Sequence, residues 1–255
     1  MKPRRALSQI AGPVRAQGDA RLARLLAGAW EAATREEGDV LTHGFHPWPA
    51  RMHWAVARTL LAELDAGSVL DPFCGGGTVL VEARVAGRAG AGVDLNPLAM
   101  RVADVRTQRR TARSRDAFLR RAEAVALASE TRVRERAPIR VALPPEETRW
   151  YAPHVLKELG GLREEIRAVD DAADRRALAV VLSSIVVKFS KQRADTAEEE
   201  TEKRIRKGLC TEFFLRKSEE LVARWADLFA VARGPAPRLE EGDARELPSL
   251  LGKDR

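Results

Sequence analysis

Two aspartates and a run of glycines carry the clearest chemistry in this chain. Asp71-Pro72-Phe73-Cys74-Gly75-Gly76-Gly77-Thr78 follows an apolar approach, Ser68 to Leu70, and leads into Val79-Leu80-Val81-Glu82-Ala83. The approach reads as a short buried strand, the glycines as a turn, and Thr78 onward as the first turns of a helix. A side chain in the turn would hold the backbone away from a ligand, and glycine also tolerates positive φ. The helix start adds free N–H groups. Sixteen residues after Thr78, a second apolar run, Ala89 to Val93, ends in Asp94, an acid placed to accept hydrogen bonds from a ribose. Together these residues describe a nucleoside site, although the Gly-x-Gly-x-x-Gly fingerprint is absent.

The elements that must position this site can be read along the chain. Residues 1–17 form a Pro/Arg/Gly-rich arm, and Arg21 to Glu36 repeats Leu22, Leu25, Leu26 and Trp30 at helical spacing, as a packing helix does. Thr42 to Met52 cannot be regular structure, because Pro47, Pro49 and Gly44 interrupt it while His43, Phe45, His46 and Trp48 crowd the turn. A helix from His53 to Leu64 then leads into the Asp71 strand. Asn96-Pro97 opens another helix, with proline at an early position. Val141 to Thr148 reads as a loop, and Trp150 to Val169, Arg175 to Lys191 and Thr211 to Ala232 as helices. Ser190 to Thr196 interrupts them and reads first as a solvated connector, with contact to a nucleic acid or the cofactor as the alternative. Arg238 to Glu241 is a weak strand, followed by Gly242-Asp243-Ala244 and by something helical from Leu247 to Leu251.

Composition sets the outer limits. A chain of 255 residues can bury a proper core, and its apolar runs are far below a membrane span. Two cysteines without metal-ligand spacing make a reducing cytoplasm the default. The three clustered histidines, His43, His46 and His53, have no carboxylate or cysteine close in sequence to complete a metal site, so none is expected. The formal charge is +7, and residues 101–140 hold twelve arginines against five acids, a local excess that suits phosphate contact. An ordinary solvated helix face accounts for that stretch equally well, since its acids are interleaved with its arginines.

The wording Asp-Pro-Phe-Cys-Gly-Gly-Gly-Thr closely resembles motif I of class I S-adenosylmethionine (AdoMet) methyltransferases, in the form used by amino-group methyltransferases acting on DNA and by some acting on RNA. Phe45 to Met52 looks like the segment that, one helix before motif I in that family, closes over the methionyl end of AdoMet. The resemblance implies an α/β, Rossmann-like sheet, incomplete at about three parallel strands, with a large helical insertion. It implies a division into an arm and helix (1–40), a cofactor-binding core (41–106), the insertion (107–236) and a third core strand (237–255). By the same resemblance Asp71, Pro72, Phe73, Gly75, Gly77 and Thr78 line the methionine and Asp94 holds the ribose. Asp243 and Ala244 lie by the adenine, and Phe45, His46, Pro47 and Pro49 close the site.

The family orients its target amine with Asp/Asn/Ser-Pro-Pro-aromatic at a later strand, where a polar side chain and a carbonyl accept from the amine and a ring stacks on the flipped base. That motif is absent: the only Pro-Pro is Leu143-Pro144-Pro145-Glu146, with the wrong flanking residues and ahead of the third strand. There is also no Pro-Cys pair for methylation at cytosine carbon five. The expectation is therefore the front part of a longer enzyme, or one half of a divided one whose downstream polypeptide carries the catalytic motif, acting on adenine-N6 or cytosine-N4 of DNA. Two alternatives stand beside it. One is an RNA methyltransferase of the guanine-N2 tRNA type, although those usually carry an RNA-capture domain ahead of motif I and only about forty residues precede Thr42 here. The other is a non-catalytic subunit that binds AdoMet or nucleic acid.

Overall fold

Short apolar runs bounded by polar caps give this chain its elements. The computed structural model describes residues 14–48, 51–65, 67–139, 144–192 and 200–252. In chain order these form α1 (Ala20–Arg35), α2 (Trp54–Glu63), β1 (Val69–Asp71), α3 (Thr78–Val85), β2 (Gly90–Asp94), α4 (Pro97–Thr107), α5 (Ala112–Arg134), α6 (Pro145–Thr148), α7 (Pro153–Arg167), α8 (Ala172–Phe189), α9 (Leu209–Val231), β3 (Arg238–Glu241) and α10 (Leu247–Leu251). Several starts are set by side chains that accept from the first free N–H groups: Asp19 for α1, His53 for α2, Asn96 for α4, Thr111 for α5 and Asp171 for α8.

The three strands make one parallel sheet in the order β1-β2-β3. Val69 pairs with Gly90 and Asp71 with Gly92 on one side of β2, while Ala91 pairs with Arg238 and Asp94 with Glu241 on the other. Parallel pairing brings the carboxyl ends of all three strands to one edge, which is where open α/β sheets bind ligands. This is a Rossmann-like α/β fold with most of its residues in helices.

The described residues fall into two units, one containing those up to Arg110 and from Arg224 onward, the other those from Thr111 to Ala223. In the first, Leu80 and Met100 pack with Cys74 against Leu239 of β3. Val81 of α3 meets Leu228 and Ala232, and the fully buried Trp225 donates its indole N–H to the Val105 carbonyl at 2.9 Å. In the second, α5, α7 and α8 pack together, and Phe189 of α8 meets Phe213 of α9 edge to face at 5.5 Å.

Three sequence expectations need correction. The approach to Asp71 is not a buried strand, since β1 lies at the edge of the described sheet with Leu70 exposed. Leu22, Leu26 and Trp30 are exposed among the described residues, and α1 packs on α2 through Ala29 and Ala33 instead, because small side chains allow the closer approach. The loop expected over Val141 to Thr148 contains the helical turn α6, where Pro145 at the first position supplies a preset φ and needs no N–H partner. Among the described residues no helix is long and apolar enough to cross a membrane.

Candidate functional site

The site begins where β1 ends. Beyond Asp71 the chain turns back on itself through Gly77 N–H to the Cys74 carbonyl at 2.7 Å, and Cys74 N–H reaches across to the Val93 carbonyl of β2 at 3.0 Å. Gly77 adopts φ +79 and caps α3 without a side chain, so the first-turn N–H groups of α3 have no capping side chain. Uncapped helix N-termini of this kind carry partial positive charge.

Asp94 organises the other half. One carboxylate oxygen accepts from Gly75 N–H and the other from Asn96 N–H, each at 2.9 Å, so a single side chain ties the glycine loop to the turn that opens α4. A carboxylate has about four acceptor positions, which leaves room for a ligand hydroxyl. Asp71, on the neighbouring strand, accepts from Phe73 N–H at 3.2 Å. Its carboxyl is pushed above the usual range by burial and by the charge of Asp94, against the opposing pull of that N–H. Cys74 is buried, and burial with the nearby Asp71 and Asp94 pushes its thiol up to about 12, so it is no nucleophile at neutral pH.

Sequence reasoning missed the group that holds the preceding segment in place. Arg106 of α4 is 0% exposed, and its guanidinium donates to the Gly76 carbonyl at 3.0 Å and to the His46 carbonyl at 2.7 Å. Thr42 returns a hydroxyl hydrogen bond to the Arg106 carbonyl at 2.7 Å. Desolvation and the nearby Arg51 lower the Arg106 pKa to about 9, which still leaves it charged at neutral pH. The Trp48 indole lies over the same loop, so that a Cβ on Gly76 would come within 2.5 Å of the guanidinium and 3.3 Å of the indole. Nothing in the local sequence distinguishes Arg106 from the eleven other arginines of residues 101–140. Its role depends on contacts to residues thirty and sixty positions away.

A second buried tie runs from His43 to Glu82 of α3 at 2.7 Å, and Arg58 of α2 holds the same carboxylate at 2.8 and 3.1 Å. Burial lowers the His43 pKa despite Glu82, so a neutral ring donates its Nε2 hydrogen. Burial raises Glu82, but the hydrogen bonds from His43 and Arg58 outweigh it and leave the carboxyl below its usual range. The unfolded chain therefore takes up a proton at His43 near pH 6.5 where the folded chain does not, and stability falls as pH drops below that value. The Glu82 contribution is present above pH 4.5 and is lost as pH falls through its lower folded value. Thermal unfolding followed from pH 7 downward is expected to show both losses, and His43→Gln to remove the first while keeping the second.

The remaining expected residues fall as follows. Phe45 and His46 are buried, Pro47 is exposed, and Pro49 lies outside the described residues. Pro72 and Thr78 bracket the turn, and Phe73 is 78% exposed, as Leu95 next to Asp94 is at 68%. Gly242 N–H donates to the Asp94 carbonyl at 3.1 Å, which sets Asp243 and Ala244 just past the paired ends of β2 and β3. The Asp243 carboxylate accepts from Arg245 N–H and pairs with its guanidinium, and these bonds lower its pKa. His53 caps α2. Among the described residues no group of three or more His, Cys, Asp or Glu could hold a metal ion. Arg193 to Thr196 of the connector lie outside the described residues, whereas Lys191 N–H donates to the Trp150 carbonyl at 2.7 Å.

Residues 42–142 match the UPF0020 family, RMKL-like, methyltransferase domain. The match starts at Thr42, the first residue tied to Arg106, and takes in the glycine loop and Asp94. No solved structure matches the chain. The match supports a methyltransferase, and domains of this kind typically use S-adenosylmethionine. The geometry fits that cofactor. An uncapped helix start, a loop with no side chains in its floor, an acid with acceptor positions to spare and the exposed apolar Phe73 and Leu95 converge at the carboxyl end of the sheet.

Proposed function

We propose that this chain binds AdoMet at the carboxyl edge of its sheet and supplies the cofactor-binding part of an enzyme that methylates an exocyclic amine of adenine or cytosine in DNA. The observation that carries the reading is the joint hold of Asp94 on Gly75 and Asn96, which fixes loop and acid relative to each other before any ligand arrives. Bound AdoMet supplies an electrophilic methyl on a sulfonium. The protein's own contribution is positional. The loop backbone from Asp71 to Gly77 and the first turn of α3 would hold the methionyl part, Asp94 the ribose hydroxyls, and Gly242 to Ala244 the adenine edge, with Trp48 against the loop. Pre-set groups of this kind lower the ordering cost of binding and orient the reacting methyl.

The Asp-Pro-Phe-Cys-Gly-Gly-Gly-Thr wording is used by DNA and RNA enzymes alike, and it is the resemblance of Phe45 to Met52 to the segment ahead of motif I in amino-methyltransferases that supports the DNA reading. A second reading, methylation of an RNA base amine, is favoured by the family match, since that family includes RNA methyltransferases. Transfer of labelled methyl from AdoMet to duplex DNA and to tRNA in parallel, by this chain alone and together with the polypeptide encoded immediately downstream, separates them. Label recovered in N6-methyladenine or N4-methylcytosine supports the first reading, and label recovered only in RNA replaces it with the second.

A further inference from the structure

The helical unit contains a cavity of about 650 Å³ that the cofactor reading does not use. Its walls include Arg134 at the end of α5, Arg136 just after it, Lys157 in α7 and Lys207 two residues before α9. Two acids also line it, Glu130 and Glu158. Glu158 is buried and already committed, because its carboxylate accepts from Gly208 N–H at 2.7 Å and Cys210 N–H at 3.1 Å at the start of α9.

The arginines of this unit are not all alike. Arg121 pairs with Asp174, Arg132 with Glu165 at 2.6 Å, and Arg206 with Glu212. Arg136, Lys157 and Lys207 have no ion pair among the described residues, and all three are exposed. The backbone brings Arg136 to the rim through a left-handed turn, φ 56, closed by Ala137 N–H to the Arg132 carbonyl at 3.0 Å. Four cations from three separate segments thus surround one open cavity against two acids, of which Glu158 is spent on a helix start. Like charges held together in this way repel unless an anion joins them. Cations distributed around an open cavity, with their heads in water, suit a chain of several phosphates better than one small ligand, which calls for an enclosed pocket.

We propose that this cavity binds the sugar-phosphate backbone of a polynucleotide, holding the substrate on the helical unit. The proposal rests on the nucleic-acid reading above and adds a place for the substrate. The phosphate chemistry is common to DNA and RNA, so the test carries both.

Binding of labelled duplex DNA and of labelled RNA to the full chain is measured over a salt series, beside AdoMet binding. Arg136→Glu/Lys157→Glu/Lys207→Glu is compared with a charge-matched control, Arg113→Glu/Arg120→Glu/Arg167→Glu, whose sites line other parts of the same unit. The expected result is a loss of ~10-fold or more in affinity for at least one polynucleotide, with a salt slope shallower by roughly 2 to 3, in the first variant and not in the control. AdoMet affinity stays unchanged in both. Equal losses in the two variants, or none, overturn the proposal. Wild-type chain that binds AdoMet but no polynucleotide defeats this site and leaves the cofactor reading standing. Chain that binds polynucleotide through these residues but no AdoMet does the reverse.

Discussion

Arg106→Ala is expected to be the most damaging single substitution at the site. It removes a fully buried side chain and leaves the Gly76 and His46 carbonyls without their donor. A cavity and two orphaned acceptors together cost about 3 to 5 kcal/mol. Thermal unfolding should show the loss, and AdoMet binding should fall further than stability alone requires, since the segment over the loop loses its anchor. Arg106→Lys separates charge from shape. An ammonium keeps the charge but cannot reproduce the planar fork that spans two carbonyls, so it should recover only a minor part of the loss. Full recovery by lysine would show that the charge, and not the bridging geometry, holds the segment.

Gly77→Ala is expected to be the next largest effect, for a different reason. The residue sits at φ +79, where a Cβ is strained, and that Cβ would meet the Ala103 Cβ at 2.9 Å and its Cα at 3.1 Å. Left-handed backbone costs a non-glycine residue roughly 1 to 2 kcal/mol, and overpacking adds about 1 to 3 kcal/mol. The two parts can be measured apart. Adding Ala103→Gly removes the nearest contact but not the φ strain, and itself costs about 1 kcal/mol inside α4, so Gly77→Ala should cost less against an Ala103→Gly background than against wild type, and still more than nothing. No cost in that background would mean that the backbone there carries no strain, and an undiminished cost would mean that α4 had already moved aside. Because Gly77 also sets where α3 begins, both variants should bind AdoMet more weakly than wild type.

These two residues also show what could and could not be read from the sequence. Gly77 was legible, because a glycine run between an apolar strand and a helical start has few alternative structures, and Arg238 to Glu241 emerged as β3 at those bounds. The parallel sheet followed from strands separated by helices. Arg106 was not legible, since a buried arginine and a solvated one are spelled alike and only the fold brings His46 and Gly76 to it. The same holds for Glu82, which reads as one polar position in an apolar helix and is in fact the shared acceptor of His43 and Arg58. On α1 the hydrophobic spacing correctly indicated a helix but pointed to the wrong buried face, because Ala29 and Ala33 weigh little in a pattern of leucines and yet allow the closest approach to α2.

The arginine-rich stretch over residues 101–140 divides in the same way. Arg106 is buried, Arg109 and Arg110 lie over the Phe229 and Trp225 rings at 4.5 and 4.2 Å, and Arg121 and Arg132 are paired with acids. Composition counted these with the rest, whereas geometry sets Arg134 at the end of α5 and Arg136 in the turn after it against the cavity of the helical unit.

The central claim is that the carboxyl edge of this sheet holds AdoMet through Asp94 and the loop it fixes. Calorimetric titration of AdoMet into the wild-type chain and into Asp94→Ala tests it most directly. Saturable binding by wild type is predicted, weakened ~100-fold in the variant, since the hydrogen bonds from Gly75 of the loop and from Asn96 are lost together with the ribose contact. No binding by folded wild type, or equal affinity in the variant, would contradict it.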